Sequence, residues 1–174
     1  MSRKQSDIRL PEGLRFMREL GRGGMGVVLL VEDIQSQSLR ILKSLKTSDL
    51  SSGHFEQLQH EFMMLSQLNH PNIGKVYDFY RLDDSPSDHC IFFTGEYVDG
   101  SPLHKLPHPE EMDARAWIDI IVQIARALQY IHNSGMIHFD VKPSNIIVNQ
   151  QPDGSRQVKL IDFGLSQKWN QSNT

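Results

Sequence analysis

Residues 138–145 read HFDVKPSN. The stretch places Asp140, then Lys142 two positions on and Asn145 three beyond that, directly ahead of the apolar run IIV at 146–148. Further along, VKLI at 158–161 is a second strand pattern, and QPDGSR between the two carries turn residues, so a β-hairpin is expected. If the strands pair antiparallel, Asn145, just before the first, comes close to Asp162, just after the second. An amide oxygen and a carboxylate brought together are hard ligands suited to Mg²⁺, which keeps waters and also takes phosphate oxygens. Asp140 lies a short loop away, within reach of a hydroxyl while a phosphoryl group is positioned, and Lys142 can neutralise charge building on that group. Either end alone fits an Asx-rich turn, in which Asp and Asn cap backbone donors. Both ends of one hairpin together argue for a site.

Working outward, a helix is expected from about 112 to 133, with Trp117, Ile120, Ile121, Ile124, Leu128 and Ile131 as one apolar stripe and Gly135 as its C-terminal cap. The first third reads as strands over roughly 14–20, 27–33 and 38–46, and further strands over 75–82 and 89–95. A helix over about 54–68 separates these groups and ends at Asn69-His70-Pro71. Strands first and helices later give an α+β class.

The 174 residues can bury a sizeable core, as one domain or two small lobes. A net charge of −3 argues against nucleic acid as the main partner, and no basic block suggests an anionic membrane. One cysteine, Cys90, excludes an internal disulfide framework. The N-terminus lacks the apolar core of a secretory signal, and no apolar run is long enough to span a bilayer. A cytoplasmic location is expected.

Two further features lie upstream. GRGGMGVV at 21–28 contains G-x-G-x-x-G, whose bare N–H groups can approach phosphate oxygens. For the motif alone, a flexible hairpin turn is the better reading. It leads into a strand pattern rather than a helix, which rejects a dinucleotide fold. In LRILKSL, residues 39, 41, 43 and 45 share a face, so Lys43 is expected to face inward among Leu39, Ile41 and Leu45. Glu61 lies on the apolar face made by Leu58, Leu65 and Leu68. Opposite charges on two apolar faces explain each other as an ion pair, the alternative being two side chains that snorkel to water separately.

Taken in order, the glycine strand-turn, Lys43, Glu61, HFDVKPSN and LIDFG (160–164) resemble the eukaryotic-type serine/threonine protein kinases of the bacterial-like kind. The resemblance runs from about Phe16 to Leu165 and implies a β-rich N-lobe with helix C and the beginning of a helical C-lobe. It implies boundaries of 1–13 for an N-terminal extension, 14–98 for the N-lobe, 99–166 for a partial C-lobe and 167–174 for a polar tail. It further implies that amides around Gly21, Gly23 and Gly26 cover ATP phosphates, and that Val28 packs on the adenine. Lys43, braced by Glu61, would hold the α- and β-phosphates, and Glu96 to Val98 would form the adenine-binding hinge. Asp140 would orient the acceptor hydroxyl and Lys142 contact the γ-phosphate, while Asn145 and Asp162 would hold Mg²⁺ or Mn²⁺. The implied substrate is a protein Ser or Thr. The KPSN form of the loop is similar to the serine/threonine branch rather than the tyrosine branch.

Departures from the family pattern carry their own expectations. Phe139 stands where an Arg commonly pairs with an activation-loop phosphate, so that clamp is not expected to switch this protein. An activating phosphorylation that required residue 139 would contradict this. Ile41 adds bulk where a small Ala is usual, and Gly95, before the hinge, lacks the usual larger side chain, so the pocket is expected to accept bulky adenine substituents. The chain stops ten residues after Gly164 without an A-P-E triplet, which reads as a truncated domain with the stripe from Trp117 to Ile131 uncovered and open to association. Two other functions compete: a catalytically inactive nucleotide-binding or interaction module, and a small-molecule phosphotransferase. D-x-K-x-x-N and the KPSN string favour the protein kinase over the latter.

Overall fold

A computed structural model describes residues 9–23, 26–45, 52–83, 89–107 and 112–162. The chain divides into two compact units, Met1–Leu50 with Tyr77–Tyr97, and Ser51–Val76 with Val98–Thr174.

The first unit is built on a five-stranded sheet of order β1-β2-β3-β5-β4. Its strands are β1 Leu14–Gly23, β2 Gly26–Asp33, β3 Ser38–Leu45, β4 Val76–Asp83 and β5 His89–Glu96. The expected strands are thus all present. Alternation along β2 sends Val27, Leu29 and Val31 to one face, where they pack with Leu14, Leu42 and Phe92. Each such side chain contributes about 1.5–3 kcal/mol when removed from water. Leu42, fully buried, therefore marks the core face of β3. The expectation had put that face on Leu39, Ile41, Lys43 and Leu45, yet Leu39 is 45% exposed. Lys43 is nevertheless buried, on the sheet's second face, as is Leu30 on the same face.

Arg40 stitches this sheet together. Its guanidinium bonds Asp33 of β2 at 2.8 Å and Asp78 of β4 at 2.7 Å, and lies 4.8 Å from the Tyr77 ring centroid. Thr94 of β5 completes the link, donating from Oγ1 to Asp78 at 3.2 Å and accepting from the Asp78 amide at 3.1 Å. One planar cation with several donors can bridge two carboxylates where a lysine would reach one.

The second unit contains α1 (Ser52–Ser66), α2 (Ala114–Asn133) and a three-stranded sheet of order β6-β7-β8, from Ser101–Pro102, Ile146–Gln150 and Arg156–Leu160. Helix α1 buries Phe62 and Leu65, with Leu68 just beyond its end. Asp113 caps the start of α2 through the Arg115 amide. Gly135 closes its end as expected. Its φ of +73° is open to glycine, and the Gly135 and Met136 amides bond the His132 and Ile131 carbonyls at 2.9 and 3.1 Å. A second glycine, Gly100, is required by proximity, since a Cβ there would meet the Val148 carbonyl oxygen at 2.7 Å.

The stripe on α2 differs from expectation. Ile120, Ala127 and Ile131 are buried, Trp117, Ile124 and Leu128 are half-buried, and Ile121 is 60% exposed. The reason is Gln123, which sits on the inward face. Its Oε1 accepts from the Val158 amide at 2.9 Å and from Asn72 Nδ2 at 2.8 Å, and its Nε2 donates to the Arg156 carbonyl at 2.8 Å. These bonds dock α2 along β8 and set its rotation, which leaves Ile118, Ile121 and Val122 outward. So the stripe is covered along part of its length and not uniformly bare. The segment around Ile73 continues the sheet, pairing parallel with Leu160. Here the Leu160 amide donates to Asn72 O at 2.8 Å and the Gly74 amide to Leu160 O at 2.9 Å.

Candidate active site

The expected hairpin is the frame of the site. Strands β7 and β8 pair from Ile146↔Leu160 to Gln150↔Arg156, and the Gly154 turn between them is closed by the Gln151 amide on Ser155 O at 2.8 Å. At the open end the Ile161 amide donates to Asn145 O at 2.8 Å. The backbone therefore brings Asn145 and the residue before Asp162 into direct contact. A one-turn 3₁₀ helix, Pro143–Asn145, leads into β7, with Pro143 at its first position where a missing N–H costs nothing.

Asp140 is the hub of the loop. Its Oδ2 accepts from Lys142 Nζ at 2.7 Å and from Asn145 Nδ2 at 2.9 Å, and its backbone oxygen accepts from the same Nδ2 at 3.0 Å. The Lys142 hydrogen bond, helped by Asn145, holds the Asp140 carboxyl below its ordinary range and raises the Lys142 ammonium in turn. Asp140 is thus a pre-set carboxylate whose Oδ1 makes no hydrogen bond among the described residues. Asn145 is buried and spends both Nδ2 protons on Asp140, so its acceptor atom is the amide oxygen Oδ1. That is the atom a hard cation requires, and together with the carboxylate of Asp162, the residue after Ile161, it would offer oxygen ligands of the kind Mg²⁺ takes. Among the described residues no group of three His, Cys, Asp or Glu could hold a metal ion, so phosphate and water oxygens would have to complete the coordination.

His138 is a residue that the sequence reasoning passed over. It is 1% exposed. Its Nε2 lies 3.2 Å from the Ile161 carbonyl, which can only accept, so Nε2 carries the proton and Nδ1 accepts from the Asp140 amide at 3.4 Å. Burial pushes the imidazole below its usual value, against the opposing pull of Ile161 O and of the Asp140 and Asp162 carboxylates. A neutral ring thus ties the Asp140 loop to the strand end that precedes Asp162. Its position between two apolar residues, in IHF, was the available signal.

Two residues of this loop system have left-handed backbones despite carrying side chains: Phe139 at φ +59° and Asp162 at φ +57°. Such conformations cost roughly 1–3 kcal/mol each and gather where a site imposes them. The Phe139 ring is 43% exposed.

In the first unit, Gly21 lies in β1, while Gly23 and Gly26 pair across the end of the β1–β2 hairpin. Residues 24 and 25 lie outside the described residues. Val28 is opposite Lys43 in the β2–β3 register. The Lys43 ammonium lies 5.8 Å from the Phe93 ring centroid. Glu96 ends β5, and Val98 follows it at the start of a segment of the second unit. Glu61 is in α1, but its side chain, and with it the expected Lys43–Glu61 pair, lies outside the described residues, as do Phe163 and Gly164.

The protein kinase domain family matches residues 14–174. The chain belongs to the protein kinase family. It is 34% identical over 149 residues to serine/threonine-protein kinase pkn3 of Myxococcus xanthus, covering 84% of this chain and 26% of that protein. It is 34% identical over 154 residues to serine/threonine-protein kinase PknA of Mycobacterium tuberculosis, covering 87% of this chain and 35% of that protein. A third relative, calcium-dependent protein kinase 6 of Plasmodium berghei, is 33% identical over 160 residues, or 91% of this chain and 10% of that protein. The chain therefore spans only a minor part of these relatives' length. The kinase-like fold class expected from the motifs is borne out, and two of these relatives are named serine/threonine-protein kinases. Protein kinases in general use ATP with a divalent metal and act on proteins. Among the described residues no helix is long and apolar enough to cross a membrane.

Proposed function

We propose that this chain carries the phosphoryl-transfer machinery of a serine/threonine protein kinase, moving the γ-phosphoryl of ATP to a protein Ser or Thr hydroxyl. The observation that supports this most is the Asp140 carboxylate, held by Lys142 and Asn145 at the open end of the hairpin. In this reading Asp140 receives the acceptor hydroxyl through its remaining oxygen. The hydroxyl oxygen forms a bond to the γ-phosphorus while the bond from phosphorus to the β,γ-bridging oxygen breaks. ADP leaves with that electron pair, and the hydroxyl proton passes to Asp140. A carboxylate held below its ordinary pKa is a weak base, so Asp140 acts chiefly by aiming the hydroxyl and takes the proton late. Lys142 offsets charge on the moving group.

On the resemblance to the family, Gly21, Gly23, Gly26 and Lys43 would serve ATP phosphates, Glu61 would brace Lys43, and Val28, Glu96 and Val98 would serve the adenine. Mg²⁺ or Mn²⁺ held by Asn145 and Asp162 would neutralise phosphate charge. A cytoplasmic setting suits the single cysteine. The test is transfer of radiolabel from γ-labelled ATP to a generic basic protein by the native chain and by Asp140→Asn and Asp162→Asn. Transfer that falls at least a hundredfold in both variants is expected. ATP binding with no transfer by the native chain would replace this reading with that of a nucleotide-binding module.

A further inference from the structure

Beyond the end of α1, His70, Pro71, Asn72 and Ile73 form a reverse turn closed by the Ile73 amide on His70 O at 3.1 Å. Proline suits the second position, where its φ is already set. The half-buried His70 ring closes the turn a second time, because its Nδ1 accepts from the Asn72 amide at 3.1 Å. Asn and Asp side chains are the usual acceptors for such a bond. An imidazole can replace them only while Nδ1 is bare, so the ring is neutral with its proton on Nε2.

The turn holds the edge of β8. Asn72 is buried, its Nδ2 donates to Gln123 Oε1 at 2.8 Å and Val158 O at 2.9 Å, and its carbonyl accepts from the Leu160 amide at 2.8 Å. Asp162 lies two residues past Leu160. On its other side the turn rests on α2: the His70 and Tyr130 ring centroids are 5.1 Å apart, and Tyr130 Oη accepts from the Asn69 amide at 3.2 Å. Two charged groups bear on the imidazole, Lys159 of β8 and Arg126 of α2, and both are cations. Lys159 reaches the turn itself, donating from Nζ to Ile73 O at 3.4 Å. A proton on Nδ1 would turn the acceptor of the Asn72 amide into a donor and add a third positive charge beside these two.

We propose that His70 is an acid-released latch: neutral, it locks the turn that holds Asn72 against α2 and β8, and protonated, it frees that turn and loosens the strand end leading to Asp162. Burial and the two cations favour the neutral ring in the folded chain. Its contribution to stability is therefore present above the ordinary histidine value of about 6.5 and is lost as pH falls through the lower folded value. Any consequence for phosphoryl transfer rests on the reading of Asp162 as a metal ligand, whereas the latch itself does not.

The test follows three signals on the full chain between about pH 8 and pH 5: the His70 Cε1–H resonance, the hydrogen-exchange protection factor of the Asn72 amide, and radiolabel transfer from γ-labelled ATP. It compares the native protein with His70→Asn, which keeps an acceptor at the δ1 position and does not titrate, and with His70→Phe, which keeps a ring beside Tyr130 and has no acceptor. In the native chain the Asn72 amide should lose roughly three- to tenfold of its protection as His70 titrates, the scale of one hydrogen bond. His70→Asn should show no such step, and His70→Phe should be weakly protected throughout. Should either variant fail to fold, the native titration decides. Asn72 protection that stays constant through the His70 midpoint, or a midpoint at or above that of a free histidine, overturns the latch. A step in Asn72 protection with no transfer by the native chain at any pH upholds the latch and overturns the kinase reading instead.

Discussion

Replacing Gln123 by Leu should uncouple α2 from β8. The side chain now makes three hydrogen bonds across that junction: Oε1 accepts from the Val158 amide and Asn72 Nδ2, and Nε2 donates to Arg156 O. Asn72 Nδ2 retains a second acceptor, the Val158 carbonyl at 2.9 Å, so its loss is partial. The Val158 amide and the Arg156 carbonyl would have no such reserve on that side. Val158 is fully buried, so its amide would bear close to the whole desolvation cost of an unpaired donor, about 1–3 kcal/mol. Arg156 is half-buried, and its carbonyl would recover part of its loss from water. Leucine matches glutamine in bulk, so little cavity cost is added. A total of about 2–4 kcal/mol follows, against a typical domain stability of about 5–15 kcal/mol. Urea unfolding gives the total, and hydrogen exchange at the Val158 amide reports the bond directly. Gln123→Glu keeps the acceptor but loses the donor, and should fall between the native protein and Gln123→Leu. The reasoning is refuted if Gln123→Leu unfolds within about 0.5 kcal/mol of the native protein and the Val158 amide stays as protected as before.

The Lys142 hydrogen bond holds the folded-state pKa of Asp140 below its unfolded value, so its contribution to stability is present above the ordinary carboxylate range and is lost as pH falls through the folded pKa. Lys142→Ala should move that titration upward toward about 3.9, the ordinary Asp value, with Asn145 still resisting. A carboxyl-carbon NMR titration checks this, and an unmoved Asp140 would contradict it. Gly100→Ala should destabilise by roughly 1–3 kcal/mol, because the new Cβ would meet Val148 O at 2.7 Å and Ile147 Cγ2 at 2.8 Å. A denaturant midpoint equal to that of the native protein would show that the segment moves aside freely.

Much of this molecule is written in local pattern. The β7–β8 hairpin follows from two apolar runs around a Pro-Asp-Gly turn, and the end of α2 follows from Gly135, because both depend on residues adjacent in the chain. The set Asp140, Lys142 and Asn145 is legible for the same reason, since it falls within six consecutive residues. By contrast, Gln123 reads in the sequence as one polar position on an amphipathic helix. Its role appears only when β8 presents it with an amide and a carbonyl.

By itself the sequence determined which segments are strands and helices, the open end of the hairpin, and the chemical types gathered there, since periodicity and turn chemistry act over a few residues. Tertiary structure alone decided which face of β3 became core and how far α2 is rotated. Those outcomes depend on ladder register and on which partner supplies a missing hydrogen bond, and both are set by segments distant in sequence. Alternation offers β3 two equivalent faces, and only the strands on either side can choose between them.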